Sequence, residues 1–137
     1  MKDDNCIFCK IANGEIPSKT IYEDEDFRAI LDLAPATKGH ALILPKEHYK
    51  NLFELPEETA SKVMILAKKL AAKMRDRLEC DGFNIMQNNG EVAGQTVFHF
   101  HMHLIPRYQG DCQKIEWDKS EPDSEELESI RKQITGC

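Results

Sequence analysis

The sequence lacks any long run of uncharged apolar residues. A membrane-spanning helix needs about 20 such residues in succession, and no stretch of this chain approaches that length. Residues 1–5 also lack the basic start, apolar stretch and small-residue cleavage site of a secretory signal. We therefore expect a cytoplasmic protein that has no membrane partner.

Positive charge is also scarce. The chain has 18 lysines and arginines against 24 aspartates and glutamates, which gives a formal net charge of −6. Such a surface would repel nucleic-acid phosphates, so we expect no nucleic-acid partner. Any phosphate site must therefore be built locally, from backbone N–H groups, imidazoles, a metal ion or a few lysines.

The cysteines do not suggest a disulfide framework. Five is an odd number, and in a chain without a visible secretory signal it favours free thiols or metal ligands. Only Cys6 and Cys9 form a close pair. At 137 residues, with 41% hydrophobic residues, the chain can bury a core without cross-links, so we expect a single domain over residues 1–137.

Hydrophobic periodicity predicts more strands than helices. Several strands follow one another without a crossover helix, which favours an antiparallel sheet with one long helix on its face, an α+β fold. The predicted strands are 20–23, 27–31, 40–44, 83–87 and 96–105, and the helices are 6–14, 56–78 and 124–130. The apolar stripe of the long helix is predicted to pack in the core through Ala60, Val63, Met64, Ala67, Leu70, Ala71, Met74 and Leu78.

The most informative segment alternates histidine with apolar residues. Alternation is the period of a β-strand, so His99, His101 and His103 are expected on one face, about 6.5 to 7 Å apart. The apolar set is expected on the other face, toward the long helix: Phe98, Phe100, Met102 and Leu104.

Two chemistries could use such a histidine face. All three imidazoles could ligate a zinc ion that keeps an open position for water. Alternatively, one histidine could act as a nucleophile toward phosphorus while its neighbours orient or polarise the phosphate. The alternating segment alone leaves both open.

The segment from His99 to Ile105 resembles the signature of the histidine triad (HIT) family, His-φ-His-φ-His-φ-φ, where φ is apolar. Further matches in the same order begin at Cys6, Phe27, Gly39 and Pro45, so the resemblance spans about residues 6–107. It points to a bacterial branch of the family, similar to the Hint proteins, that keeps a zinc-binding cysteine pair. It implies a five-stranded antiparallel sheet with a long and a short N-terminal helix, and a two-fold dimer formed through the long helix and an edge strand. Residues 108–137 are a C-terminal extension of uncertain role.

The resemblance implies a role for each histidine outside the metal site. His101 would attack the α-phosphorus of a nucleotide and form a transient nucleotidyl-histidine, while His103 and His40 would approach the phosphate. Asp32 would accept both ribose hydroxyls. The positions implied to hold phosphate oxygens are Asn88, Gly94, Gln95, Thr96 and Val97, and those implied to form an apolar slot for the base are Ile7, Phe8, Ile11, Ile30 and Leu33.

The resemblance also implies a metal site. Cys6, Cys9, His48 and His99 would surround a tetrahedral zinc ion, and because four protein ligands fill its coordination the ion would be structural. This weakens the alternative of a catalytic zinc on the three triad histidines.

The implied activity is hydrolysis at the α-phosphate of adenosine or other purine phosphoramidates or adenylate anhydrides. An alternative hypothesis is an enzyme that cleaves dinucleoside polyphosphates. A third hypothesis is a nucleotide-binding regulatory or scaffold protein with little turnover. The pocket that distinguishes the first two is expected to lie partly in the C-terminal extension, with Trp117 as its aromatic contact.

Overall fold

A computed structural model describes residues 1–137. Its single sheet has the strand order β1-β2-β3-β5-β4, and every neighbouring pair is antiparallel. The strands are β1 (Thr20–Glu23), β2 (Phe27–Leu31), β3 (Ala41–Pro45), β4 (Gly82–Met86) and β5 (Met102–Arg107). The helices are α1 (Ile7–Ala12), α2 (Glu57–Leu78) and α3 (Ser124–Thr135), and short 3₁₀ turns occupy Leu52–Glu54 and Glu91–Ala93. The expected α+β fold with a five-stranded antiparallel sheet is confirmed.

Helix α2 covers one face of the sheet. It begins after Pro56, which has no N–H to leave unpaired, and its first turn carries Glu57 and Glu58 near the positive end of the helix dipole. Its buried residues are Val63, Leu66, Ala67, Leu70 and Met74, and they form one core with Phe27, Ala29, Ile43, Phe100 and Leu104. The predicted stripe was wrong at Met64, whose side chain is exposed beside the edge strand β4.

Helix α1 covers the opposite face of the sheet with a smaller apolar cluster. Ala12 is fully buried there with Ile30, Leu42 and Leu44, and Phe8 packs against the same group. The N-terminal segment is therefore held against β2 and β3, which brings Cys6 and Cys9 to the start of the histidine segment.

The predicted strand over 96–105 is shorter than expected, because pairing begins only at Met102. In the preceding residues the backbone bonds elsewhere: the Val97 carbonyl accepts from the Gln95 side chain, and the Phe100 N–H donates to the Tyr49 carbonyl. Phe98 therefore does not join the core as predicted. Its ring is half exposed, with Lys50 Nζ 5.5 Å from the ring centroid.

The C-terminal extension leaves the sheet after β5 and ends in α3, which is capped by the Asp123 side chain. This helix runs to Thr135, beyond the predicted 124–130, and its apolar residues Leu127, Ile130 and Ile134 are exposed. None of the helices, α3 included, is long and apolar enough to span a membrane.

Candidate nucleotide and metal sites

His101 is held with one nitrogen bonded and the other open. Its Nδ1 lies 2.7 Å from the His99 carbonyl oxygen, and since a carbonyl only accepts, Nδ1 must carry the proton. Nε2 therefore presents its lone pair. No buried side-chain nitrogen or oxygen lacks a partner, so the unbonded Nε2 is reached by solvent. Burial lowers the pKa of His101, which keeps the ring neutral and nucleophilic near pH 7.

His40 and His103 form a directed chain of hydrogen bonds. The Ala36 N–H donates to His40 Nδ1 at 2.9 Å, so the proton of a neutral His40 ring is on Nε2, which donates to His103 Nδ1 at 2.9 Å. By the same logic the proton of His103 is on Nε2. Burial lowers the pKa of His103 to about 4 and also lowers that of His40, so both rings are neutral at pH 7.

Asp32 lies beside this chain. Its Oδ2 is 3.7 Å from His40 Nε2, but because burial outweighs the attraction of this carboxylate, the contact is not an ion pair. The other oxygen, Oδ1, accepts from the Ala34 N–H at 2.8 Å. This bond fixes the carboxylate at the rim of a cavity.

That first cavity has a volume of about 650 Å³ and a largely apolar lining. Five residues predicted for a base slot line it: Ile7, Phe8, Ile11, Ile30 and Leu33. Asp32, Thr96, Val97, His101 and His103 lie on its wall as well. Ser18 and Lys19 also line this cavity. They belong to the loop before β1 and carry no motif that predicts a site.

A second cavity, of about 290 Å³, shares Thr96, His101 and His103 with the first. His40, Asn88 and Gly94 also line it. Gly94 has φ +95, a backbone conformation that residues with a Cβ rarely adopt, so glycine is favoured there for its backbone.

The C-terminal extension completes the second cavity, but not through the predicted residue. Trp117 is 78% exposed and does not line it. Gln113, Lys114 and Ile115 do, together with Arg107 of β5. These three follow the family motifs in sequence, and no pattern singled them out.

Gln95 differs from its predicted role. Its backbone N–H is bonded to the Gly90 carbonyl, and its buried side chain bonds Gly90, Lys50 and Val97. These bonds organise the loop before His99. They leave neither its N–H nor its amide free to meet a phosphate.

A cluster of possible metal ligands lies at the N-terminal end of the histidine segment. It consists of Cys6, Cys9, His48 and His99. Cys9 Sγ lies 3.3 Å from His48 Nδ1 and 3.4 Å from His99 Nδ1, and Cys6 Sγ is 3.4 Å from the same His99 nitrogen. The four ligand atoms lie within 4.8 Å of one another. Neighbouring ligands of a tetrahedral zinc ion are about 3.5 Å apart, so the cluster fits this metal.

The tautomer of His99 also fits a metal. Its Nε2 donates to the Pro45 carbonyl at 2.8 Å, which leaves the lone pair of Nδ1 facing both thiols. Burial raises the pKa of Cys9 to about 11, so a thiolate there needs a cation beside it. The three triad imidazoles do not converge on one point, because His99 turns toward the cysteines and His103 toward His40. A catalytic zinc held by all three is therefore not supported.

Known proteins resemble this chain in sequence and in fold. Residues 13–110 match the family model for the HIT domain. The chain is 46% identical over 134 residues to Protein hit of Bacillus subtilis, covering 96% of this chain and 92% of that protein. It is 41% identical over 133 residues to the adenosine 5'-monophosphoramidase HNT1 of Saccharomyces cerevisiae, covering 96% and 82%.

A solved structure agrees with these matches. The crystal structure of a Zn-bound histidine triad family protein from Mycobacterium smegmatis superposes with a TM-score of 0.77 at 39% identity, over 96% of both chains. More than half of this chain matches the family model, and the relatives are aligned over nearly its whole length. The chain therefore belongs to the histidine triad, or HIT, family.

Proposed function

We propose that this protein is a hydrolase that cleaves the bond between a purine nucleotide α-phosphate and its leaving group, with phosphoramidates or adenylate anhydrides of adenosine as substrates. One observation carries the proposal: His101 Nε2 has a free lone pair at the boundary of two cavities, while Nδ1 is bonded to the His99 carbonyl. The printed activity of the yeast relative, an adenosine 5'-monophosphoramidase, supports this substrate class.

The two cavities suggest how a substrate would lie. The apolar walls of the larger cavity suit a purine, and Asp32 at its rim suits two ribose hydroxyls, which a carboxylate accepts. The α-phosphate would then lie between the cavities, near Thr96, His101 and His103, with the leaving group in the smaller one. His103 Nε2–H and the side-chain amide of Asn88 would donate to phosphate oxygens. The Gly94 N–H is bonded to the Glu91 carbonyl, so Gly94 would contribute to the shape of the loop and not a hydrogen bond.

The reaction would run in two displacements. His101 Nε2 attacks phosphorus, the bond from phosphorus to the leaving nitrogen or oxygen breaks, and the departing group takes a proton through cavity water. The His99 carbonyl stabilises the resulting imidazolium through Nδ1–H. Water then attacks the nucleotidyl-histidine, its hydroxyl stays on phosphorus, its proton leaves to solvent, and the neutral imidazole is restored with release of the nucleoside monophosphate.

A structural zinc ion is part of the proposal. Cys6, Cys9, His48 and His99 would hold it, and four protein ligands leave no position for substrate. The ion would tie the N-terminal segment to the residues just before the nucleophile. His99 would then support His101 through its carbonyl rather than act on the phosphate.

We also propose the single-domain organisation over residues 1–137, a cytoplasmic location and a homodimer. The edge strand β4 and helix α2 carry Met64, Ile65, Phe83 and Ile85 on one accessible apolar surface, which a second copy would cover. Light scattering checks the dimer: a monomeric mass at micromolar concentration contradicts it.

Turnover of a substrate panel tests the function. Adenosine 5'-phosphoramidate, an acyl adenylate and a diadenosine polyphosphate are offered to the wild type and to His101→Ala. We expect the first two to be hydrolysed faster than the third, and the variant to lose at least about 10³-fold in kcat because the nucleophile is removed. Retained AMP affinity and zinc content in the variant are the controls.

Each alternative predicts a different result. Faster hydrolysis of the diadenosine compound would favour the hypothesis that the protein is a dinucleoside polyphosphate hydrolase. Equal, slow hydrolysis of every substrate by both proteins would favour the nucleotide-binding scaffold, and the proposed enzyme function would then be rejected.

A further inference from the structure

Helix α1 contributes side chains to two sites at once. Ile7, Phe8 and Ile11 line the larger cavity, and Cys9 belongs to the metal-ligand cluster. The Phe8 ring centroid lies 5.0 Å from that of His101. The helix has only six residues, and an isolated helix of that length is not stable in water, so contacts outside the helix must hold it in place. Its position therefore affects both sites.

Asn13, the residue that follows α1, ties this helix to the sheet. Its side-chain Nδ2 donates to the Cys9 carbonyl at 2.8 Å and to the Lys46 carbonyl at 3.0 Å. Lys46 comes directly after Pro45, the last residue of β3. A side-chain amide nitrogen has two N–H donors, and both are used here. One side chain thus joins the backbone of α1 to the backbone beyond β3.

The backbone at the end of β3 also orients the metal-ligand cluster. The Pro45 carbonyl accepts from His99 Nε2 at 2.8 Å, and the next carbonyl, that of Lys46, accepts from Asn13. His48 follows two residues later. This short stretch therefore carries one histidine of the cluster, orients the other and, through Asn13, holds the helix next to which both cysteines lie.

A second contact holds α1 from strand β2. Arg28 Nε donates to the Ala12 carbonyl at 3.1 Å, and Arg28 Nη2 forms an ion pair with Glu23 at 2.8 Å. Ala12 is itself fully buried against the sheet. Because these contacts do not involve Asn13, loss of the Asn13 bonds should shift α1 rather than detach it.

We propose that Asn13 is a positioning residue shared by the metal site and the nucleoside cavity. Asn13 lines neither cavity at His101 and is not a member of the metal-ligand cluster. Its amide fixes where α1 lies over the end of β3, and α1 in turn places Cys9 in the cluster and Phe8 in the cavity wall. The His101 Nδ1 bond is made to a carbonyl outside α1, so the chemical step depends less on Asn13 than binding does. The inference rests on the proposed function, because it takes the larger cavity as the nucleoside site.

Asn13→Asp tests this role, because an aspartate has nearly the same shape and no N–H to donate. We expect the Kd for AMP, measured by calorimetry, to rise about fivefold as the hydrogen bonds behind the cavity wall are lost. The Kd for zinc, measured by competition with a chromophoric chelator, should rise about tenfold, a usual effect of removing a bond behind a metal ligand. With adenosine 5'-phosphoramidate, KM should rise while kcat stays within about twofold. Asn13→Ala, which adds no charge, is expected to change both Kd values in the same direction.

The matched control is Asn51→Ala. The Asn51 side chain also makes a bond at the end of a short helical turn, because its Oδ1 accepts from the Phe53 N–H at 3.0 Å, but this turn does not contact α1 through that bond. We expect Asn51→Ala to keep the wild-type Kd values for AMP and zinc. Thermal midpoints of Asn51→Ala and Asn13→Ala are compared, so that a loss of stability alone is recognised.

Several results would overturn the inference. A lower thermal midpoint with unchanged Kd values in both Asn13 variants would mean that Asn13 only stabilises the fold. A change in one Kd without the other would mean that the two sites do not share this residue, and a fall in kcat without a rise in KM would place its effect on the chemical step. A rise in both Kd values together with negligible turnover by the wild type would keep the positioning role and reject the proposed function.

Discussion

His99 and His101 are two residues apart and both are buried, yet they offer opposite nitrogens to their surroundings. His99 donates from Nε2 to the Pro45 carbonyl and turns Nδ1 toward two thiols, whereas His101 donates from Nδ1 to the His99 carbonyl and turns Nε2 toward the cavities. In both cases a backbone carbonyl selects the tautomer. The identity of the side chain supplies an imidazole, and the backbone acceptor decides whether it is poised for a metal or for phosphorus.

The largest effect is expected when the metal ligands around His99 are replaced and the nucleophile His101 is left intact. In Cys6→Ser Cys9→Ser we expect zinc binding to be lost and the midpoint of thermal unfolding to fall by about 10 °C, because a structural metal contributes folding free energy. Elemental analysis and calorimetry measure the two effects.

The matched control for that variant is Cys112→Ser Cys137→Ser. Both of these cysteines are exposed and lie far from the cluster in sequence, so zinc content and thermal midpoint should match the wild type. Equal, negligible zinc in the wild type and in Cys6→Ser Cys9→Ser would reject the structural metal.

A smaller effect is expected when Asp32, at the rim of the larger cavity, is replaced. Asp32→Asn keeps the bond to the Ala34 N–H within reach but removes the charge that would hold two ribose hydroxyls. We expect the preference for a ribonucleotide over its 2'-deoxy analogue, measured as a ratio of kcat/KM, to fall about tenfold because hydrogen bonds to a charged group are lost. An unchanged ratio would mean that Asp32 does not contact the ribose. Zinc content should stay at the wild-type level.

The smallest effect concerns protonation of the histidine chain. The pKa of His103 is lowered to about 4 and that of His40 is also lowered, chiefly by burial, so between pH 6.5 and about 4 the unfolded chain binds protons that the folded chain does not. Stability should therefore fall as pH decreases through this window, by at most about 1.4 kcal/mol per pH unit for one histidine. Denaturant titrations from pH 7 to pH 5 measure the slope. It should be shallower in His103→Gln, and parallel slopes with equal zinc content would contradict the assignment.

Much of the fold follows from local patterns. The acidic turn between β1 and β2 predicts a hairpin. The two strands do pair antiparallel, with Thr20 opposite Ile30. The periodicity from Pro56 predicts α2 to its last residue, Leu78. In both cases one face of a regular element is buried, so the sequence period and the structure agree.

The predictions for Phe98 and Trp117 were wrong because of contacts between residues that are distant in the sequence. Phe98 shares the alternation of the core residues that follow it, but the backbone around it bonds to Gln95 and Tyr49 instead of a strand partner. Trp117 is the only tryptophan, yet the cavity is completed by Gln113–Ile115 because Arg107 and Asp111 fasten that stretch. Such contacts join residues through space, and no local pattern carries them.

The α+β class, the alternation of the histidine segment and the family motifs all follow from the order of the residues, because they depend on spacing along the chain. Which nitrogen of each histidine is free, and where the second cavity lies, are visible only in the folded chain. Tautomers and cavities depend on hydrogen-bond partners and packing neighbours that are distant in the sequence and that folding brings together.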